Sequence, residues 1–157
     1  MNIESKPRVF SVGYQKLAPA DLLKLVEDLD VTLIDVRSRP SGRVKRGFSK
    51  ADLATLLGAR YEYHGKELGG LGAGVTQAGL DALTMDGRRL LLMCQEHSPI
   101  NCHRHYMIGL PMVARGMDVF HVFKDEVFTA AELNRAVVED TDYECVDLAD
   151  VIADAKS

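Results

Sequence analysis

The chain has 157 residues, a hydrophobic fraction of 46% and three cysteines. It is long enough to bury a core without staples and has too few cysteines for a disulfide framework. No apolar run approaches the roughly 18 residues of a membrane span, and the opening MNIESKPRVF lacks the features of a secretory signal. One cytoplasmic domain over residues 1–157 with no membrane partner is expected, and its thiols are reduced or hold a metal.

The net charge of -4 argues against a generally cationic nucleic-acid binder, but the charge is unevenly placed. Arg37, Arg39, Arg43, Lys45, Arg46 and Lys50 give one acid-free segment a charge of +6, which leaves -10 for the remainder. Glu139, Asp140, Asp142, Glu144, Asp147, Asp150 and Asp154 form an acidic tail with no base between Arg135 and Lys156. The first segment is a local anion site and the second a local cation site. The two also have a bland reading, as solvated surface or as partners of one another.

In chain order, Arg8 to Val12 reads as a strand ending at Gly13. A helix follows with Pro19 near its first turn and Leu22, Leu25, Val26 and Leu29 on one face. Val31 to Val36 is an interior strand that runs into the basic segment. Ser49-Lys-Ala-Asp52 opens a short helix ended by Gly58, and Arg60 to His64 is a brief strand. Gly65, Gly69, Gly70, Gly72 and Gly74 punctuate the next loop. Thr76 to Asp86 is a helix closed by Gly87, and Leu90-Leu-Leu-Met93 centres a buried strand that ends at Cys94. Cys102 to Arg115 permits a helix bent or shifted by Pro111, followed by a strand over Met117 to Phe123. Thr129-Ala-Ala-Glu132 is a capping box opening a helix through Val138. Val146, Leu148, Val151 and Ile152 in the tail suggest docking or a partner contact.

Alternation of strands and amphipathic runs predicts an α/β fold: a single doubly wound, mainly parallel sheet of about five strands with helices on both faces. The site is expected at the carboxyl ends of the strands, from the loops after Val36, His64 and Met93.

The segment Cys94-Gln-Glu96-His-Ser-Pro-Ile-Asn-Cys102-His103-Arg104-His105 concentrates thiols, imidazoles, an acid and a guanidinium. A thiol near a helix amino terminus and a cation has a lowered pKa, which points to a nucleophilic cysteine. Leu-Leu-x-Cys-x-Glu followed by Cys-His-Arg resembles the signature of the domain of unknown function 488 family. Val12-Gly13-Tyr14, Asp35-Val36-Arg37 with Pro40, Phe48, and Glu67-Leu68-Gly69-Gly70 resemble further segments of that family in the same order, over about residues 8–123. Residues 129–157, a helix and the acidic tail, lie beyond that core. The resemblance implies a Rossmann-like domain with a cysteine-centred site and supplies no agreed reaction. Tyr14 stands where many members resemble Gly-His-Ser, so no imidazole role carries over there.

The resemblance carries Asp35, Arg37, Glu67, Cys94, Glu96, Cys102, His103 and Arg104 into the expected site. Cys94, Glu96, Cys102, His103 and Arg104 form the candidate catalytic set. Asp35, Arg37, Arg39, Arg43 and Glu67 are the candidate substrate-binding set. Cys94 or Cys102 would attack, Glu96 or Glu67 would move a proton, and Arg37 and Arg104 would fork onto phosphate or carboxylate oxygens.

Three functions compete. One is an enzyme acting on a phosphate-bearing, nucleotide-like or nucleic-acid substrate. A second is a noncatalytic module binding nucleic acid or another anionic ligand, with the basic loop on phosphates and Phe48 available to stack. The third is a metal site from Cys94, Cys102, His97 and His103 or His105, weakened by the absence of paired CxxC or HxxxH spacing; no metal is assigned. Bland readings stand beside these: Cys94 as a core residue, Asp35 and Arg37 as a structural pair, His97 and His105 as solvated surface, and Cys145 as structural. The glycine spacing is neither a dinucleotide fingerprint nor a Walker loop, and the cofactor and oligomeric state stay unspecified.

Overall fold

The computed structural model describes residues 8–43, 45–72 and 74–157. Residues 1–7, where no secretory signal is expected, lie outside the described residues.

Five segments, buried except for the half-buried edge strand β3, form the parallel part of a sheet: β1 (Val9–Gly13), β2 (Thr32–Asp35), β3 (Tyr61–Tyr63), β4 (Leu90–Cys94) and β5 (Val119–Phe123). β6 (Glu126–Thr129) and β7 (Val146–Asp147) add antiparallel neighbours at one edge, giving the order β3-β2-β4-β1-β5-β6-β7. The sheet is therefore mixed and seven-stranded, which corrects the expected five. β6 escapes a reading from sequence because its hairpin turns on Lys124-Asp125, with Lys124 at φ 56°, rather than on the Asn-Gly or Asp-Gly that announces such a turn.

Alternation along the strands sends side chains into two apolar layers. Phe10, Val12, Leu33, Leu91 and Met93 pack with α1 (Pro19–Leu29) and α2 (Lys50–Leu57) on one side. Val9, Ile34, Leu90, Leu92 and Cys94 face α4 (Gln77–Asp86) and α5 (Leu110–Ala114) on the other, with α6 (Ala130–Glu139) beside α5. α7 (Leu148–Ala155) docks on α1, burying Val151 and packing Leu148 and Ile152 against the first layer. The apolar tail residues are thus used internally, except Val146, which stays exposed.

Local signals behave as their chemistry dictates. Ser49 Oγ accepts the Asp52 amide, Thr76 Oγ1 the Gly79 amide and Thr129 Oγ1 the Glu132 amide, capping three helices. The helix expected from Cys102 instead begins as a π-helical turn, Arg104–Gly109, before α5. Pro111 has no amide proton to return four residues back, and the wider turn accommodates that break upstream of the proline.

From β2 the chain proceeds outward to β3, whereas from the adjacent β4 it proceeds to β5 on the far side of β1. Their carboxyl ends diverge, opening the crevice in which α/β sheets hold ligands.

Candidate active site

Asp35 and Cys94 end the two strands that flank this crevice, with Asp35 opposite Met93 in the register. The β2 loop is anchored by charge. Asp35 Oδ1 and Oδ2 accept Arg37 Nε and Nη2 at 2.9 and 2.8 Å, and the Tyr61 hydroxyl donates to Oδ2 at 2.7 Å. Burial works against the guanidinium charge, but the bond to Asp35 outweighs it and lifts the Arg37 pKa above its ordinary value. Arg37 lies over the Tyr14 ring, and its Nη1 is buried without a hydrogen-bond partner among the described residues.

The β4 loop returns to the sheet through Cys102 and wraps around one wholly buried side chain, Arg104. Its Nη1 donates to the Glu96 carbonyl at 2.6 Å, Nη2 to the His97 carbonyl at 3.0 Å and Nε to Ser11 Oγ at 3.1 Å. Arg104 thus shapes the loop, and the donors that the sequence reading aimed at a substrate anion are turned inward. The β1 loop fastens the same segment: the Tyr14 and Gln15 amides donate to the Cys94 and Gln95 carbonyls. A Cβ at Gly13 would stand 1.6 Å from the Glu96 carbonyl oxygen, so only glycine permits this approach.

Inside the loop, Cys94 Sγ and Cys102 Sγ lie 2.8 Å apart, and His103 Nδ1 is 3.6 Å from the first and 3.8 Å from the second. His103 Nε2 lies 3.2 Å from the Val36 carbonyl and 3.1 Å from the Leu68 carbonyl. Both are acceptors, so Nε2 carries a proton and Nδ1 is left to the sulfurs. One imidazole therefore joins the loops after β2, β3 and β4. Gly70 lies over it, since a Cβ there would stand 3.2 Å from His103 Cγ.

The sulfurs share their protons unequally. Cys102 is lowered by the hydrogen bond from Cys94, against its burial, and then by His103 and Arg104. Its Sγ also accepts the Arg104 amide at 3.5 Å, at the start of the helical turn. Cys94 is raised by its bond to Cys102 and by burial. Burial opposes charge on His103, but the neighbouring Cys102 overcomes it and raises its pKa. Charge is thus favoured on Cys102 rather than on Cys94, and on the His103 imidazole beside them. The cysteines are 6% and 4% exposed.

Glu96 contributes its carbonyl to Arg104, and its half-buried carboxylate has no hydrogen-bond partner among those described. Glu67 and His64 instead line a separate cavity against α4, with Leu68 and Gly79. Arg39 and Arg43 are exposed on the basic loop, as is Arg46. Lys45 Nζ of that loop donates to the Gln15 carbonyl, and Gln15 Oε1 accepts the His97 amide, so one residue bridges the basic loop and the cysteine loop. No ion pair joins the basic loop to the acidic tail among the described residues.

Three expectations are corrected. Phe48 is buried, stacked on Tyr14 with ring centroids 4.6 Å apart, so it is not available to bases. His105 is 1% exposed rather than solvated. Cys145 is exposed in the tail, where it packs no core.

A buried chain behind the site was not anticipated. Ser11 Oγ, already an acceptor from Arg104, shares a proton with His121 Nδ1, and His121 Nε2 shares one with His105 Nδ1 at 2.9 Å. Burial first, then the Arg104 charge, holds His105 down to about 4 and His121 well below its ordinary value. Both imidazoles are neutral. The signal was present as polar residues inside two apolar strands, Val-Phe-Ser11-Val and Val-Phe-His121-Val, which β1 and β5 place in register.

Cys94, Cys102 and His103 have ligand atoms within 4.8 Å of one another, a possible metal triad. His97 and His105 take no part: the first stacks beside Phe123 and the second faces His121. Zinc bonds of about 2.3 Å to sulfur imply a tetrahedral edge of roughly 3.8 Å between two thiolates. The sulfur to nitrogen separations suit such an edge, whereas the sulfurs are about 1 Å too close. A cavity of about 660 Å³ between α1, α7 and the β5–β6 turn meets the cysteine loop at His97 and is not lined by either sulfur residue.

Comparison of the chain with protein-family models, curated proteins and solved structures gives no match.

Proposed function

We propose that the protein is an enzyme that uses the Cys102 thiolate as a nucleophile on a phosphate-bearing, nucleotide-like substrate. The observation that carries this reading is the contact of Cys102 with His103 Nδ1 and with the Arg104 amide, in a loop that an inward-facing guanidinium holds rigid. The imidazole is fixed through Nε2 to two loops, so Nδ1 can take the thiol proton and return it to a leaving group without reorienting. Arg39, Arg43 and Arg46 supply exposed positive charge at the same end of the sheet, which would draw an anion toward the crevice. The resemblance to the domain of unknown function 488 family implies a cysteine-centred site and supports the same centre. Noncatalytic binding of nucleic acid draws support from the same arginines alone, since the buried Phe48 offers no stacking platform.

Limiting iodoacetamide tests the reading. Cys102 is expected to be alkylated before Cys145 at pH 6, at a rate nearly flat to pH 8, and adenosine monophosphate is expected to slow Cys102 but not Cys145. Faster alkylation of exposed Cys145, with Cys102 reacting only as the pH nears 9, removes the nucleophile.

A further inference from the structure

The nucleophile reading leaves Cys94, buried at the end of β4, without a part. Its sulfur nevertheless lies 2.8 Å from the Cys102 sulfur, with the shared imidazole beside both. A disulfide bond of about 2.05 Å needs the two to close by about 0.8 Å, whereas a tetrahedral metal needs them to part by about 1 Å. The smaller movement is the covalent one. Surrounding bonds fix β4 on one side and the helical turn on the other, so this approach is built into the resting fold rather than reached by loop motion.

We propose that Cys102 is a peroxide-oxidation site and Cys94 its resolving cysteine, forming a reversible Cys94–Cys102 disulfide. The order of attack follows the proposed function, with Cys102 as the first sulfur to react, while the pairing itself rests on the 2.8 Å separation. Oxidation begins when the Cys102 thiolate attacks one oxygen of hydrogen peroxide. The sulfur–oxygen bond forms as the oxygen–oxygen bond breaks, and the departing hydroxide takes the His103 Nδ1 proton to leave as water. The Cys94 thiol then gives its proton to His103 Nδ1 and its sulfur attacks the Cys102 sulfenic sulfur. A sulfur–sulfur bond forms, the sulfur–oxygen bond breaks, and hydroxide recovers the proton from His103 as a second water. Two thiols are oxidised and one peroxide is reduced. A dithiol reductant reverses the change by attacking either sulfur, and Cys102 is the better leaving group because its thiolate already has the Arg104 amide and His103 beside it. The disulfide also protects Cys102 from overoxidation while withdrawing the nucleophile from catalysis.

Trypsin leaves both cysteines in one peptide, residues 90–104, because cleavage follows Arg89 and Arg104 with no Lys or Arg between. The reduced full-length protein is treated with one equivalent of hydrogen peroxide, denatured in excess iodoacetamide and digested. The expected peptide 90–104 is unalkylated and lighter than its dithiol form by two hydrogen atoms, while the Cys145 peptide is alkylated. Dithiothreitol before quenching restores double alkylation. The folded Cys94→Ser variant, checked by near-ultraviolet circular dichroism, accumulates dimedone-reactive sulfenic acid at Cys102. If wild-type peptide 90–104 remains doubly alkylated, or gains oxygen without the lighter form, the proposal is overturned. It is equally overturned if both thiols resist peroxide until a chelator removes stoichiometric zinc. The wild-type result does not depend on the variant folding. Selective Cys102 alkylation without the lighter peptide overturns the redox pair and leaves the nucleophile standing; the lighter peptide without selective alkylation does the reverse.

Discussion

His103 is the residue on which the site turns, because its two nitrogens face different chemistry. Nε2 is spent on the Val36 and Leu68 carbonyls, and Nδ1 is thereby aimed at both sulfurs. His103→Ala removes the charge beside Cys102, and the pH–rate profile for Cys102 alkylation is expected to move up by at least about one unit. The buried imidazoles behind it make the opposite linkage. Unfolded His105 binds a proton near 6.5, whereas in the fold it does so at about 4. Between these values the unfolded chain holds more protons, so this contribution is complete above pH 6.5 and is lost as the pH falls toward 4. Urea unfolding at pH 7 and pH 5 is expected to show a loss on the order of 2 kcal/mol, reduced in His105→Asn, whose side-chain oxygen can still accept from His121. Cys94, Cys102, His103 and Arg104 could be picked out by density along the chain. Whether Arg104 faced a ligand or the loop could not, since the sequence does not reveal that its acceptors are the carbonyls of Glu96 and His97.

At the scale of elements, strands and caps were legible because they depend on neighbours a few residues apart: Leu90 to Cys94, Pro19 at a helix start, Ser49 and Thr129 as caps. The β6 hairpin and the π-helical turn were not, because one uses an unusual turn pair and the other depends on how a proline's missing donor is absorbed. Assembly of the site depends on close backbone approach. β1 reaches the cysteine loop through Gly13, where a side chain meets a carbonyl bound to Arg104 through the same residue, Glu96. Gly13→Ala is therefore expected to cost roughly 3 kcal/mol and to abolish selective Cys102 alkylation, measured by thermal unfolding and peptide mapping. Gly58→Ala is a control for the reagent, since a Cβ there meets nothing within 4 Å, although its φ of 56° carries a local cost. Full selectivity in Gly13→Ala would show that the loop holds its shape without β1.

Across the whole molecule, charge is separated along the sheet rather than neutralised. At the start of the acidic tail Glu139 pairs with Arg135, and beyond its last acid Lys156 pairs with Asp28 on α1. The basic segment spends Arg37 on Asp35, places Lys45 on Gln15 and lays Lys50 over the Tyr63 ring. Arg39, Arg43 and Arg46 remain exposed and leave a positive face on this loop. If that face recruits substrate through phosphate, its effect is a matter of counterions and must fade with salt. Binding of a fluorescent single-stranded oligonucleotide is expected to weaken steeply with potassium chloride. Replacing all three arginines by alanine is expected to flatten the logarithmic salt slope by roughly two, at about 0.7 for each phosphate contact on a single strand. The same triple variant keeps Cys102 alkylation unchanged, because none of the three arginines touches the sulfurs or His103. A slope that survives their removal would move the anion site to another surface, while loss of Cys102 reactivity with them would tie the positive face directly to the thiolate.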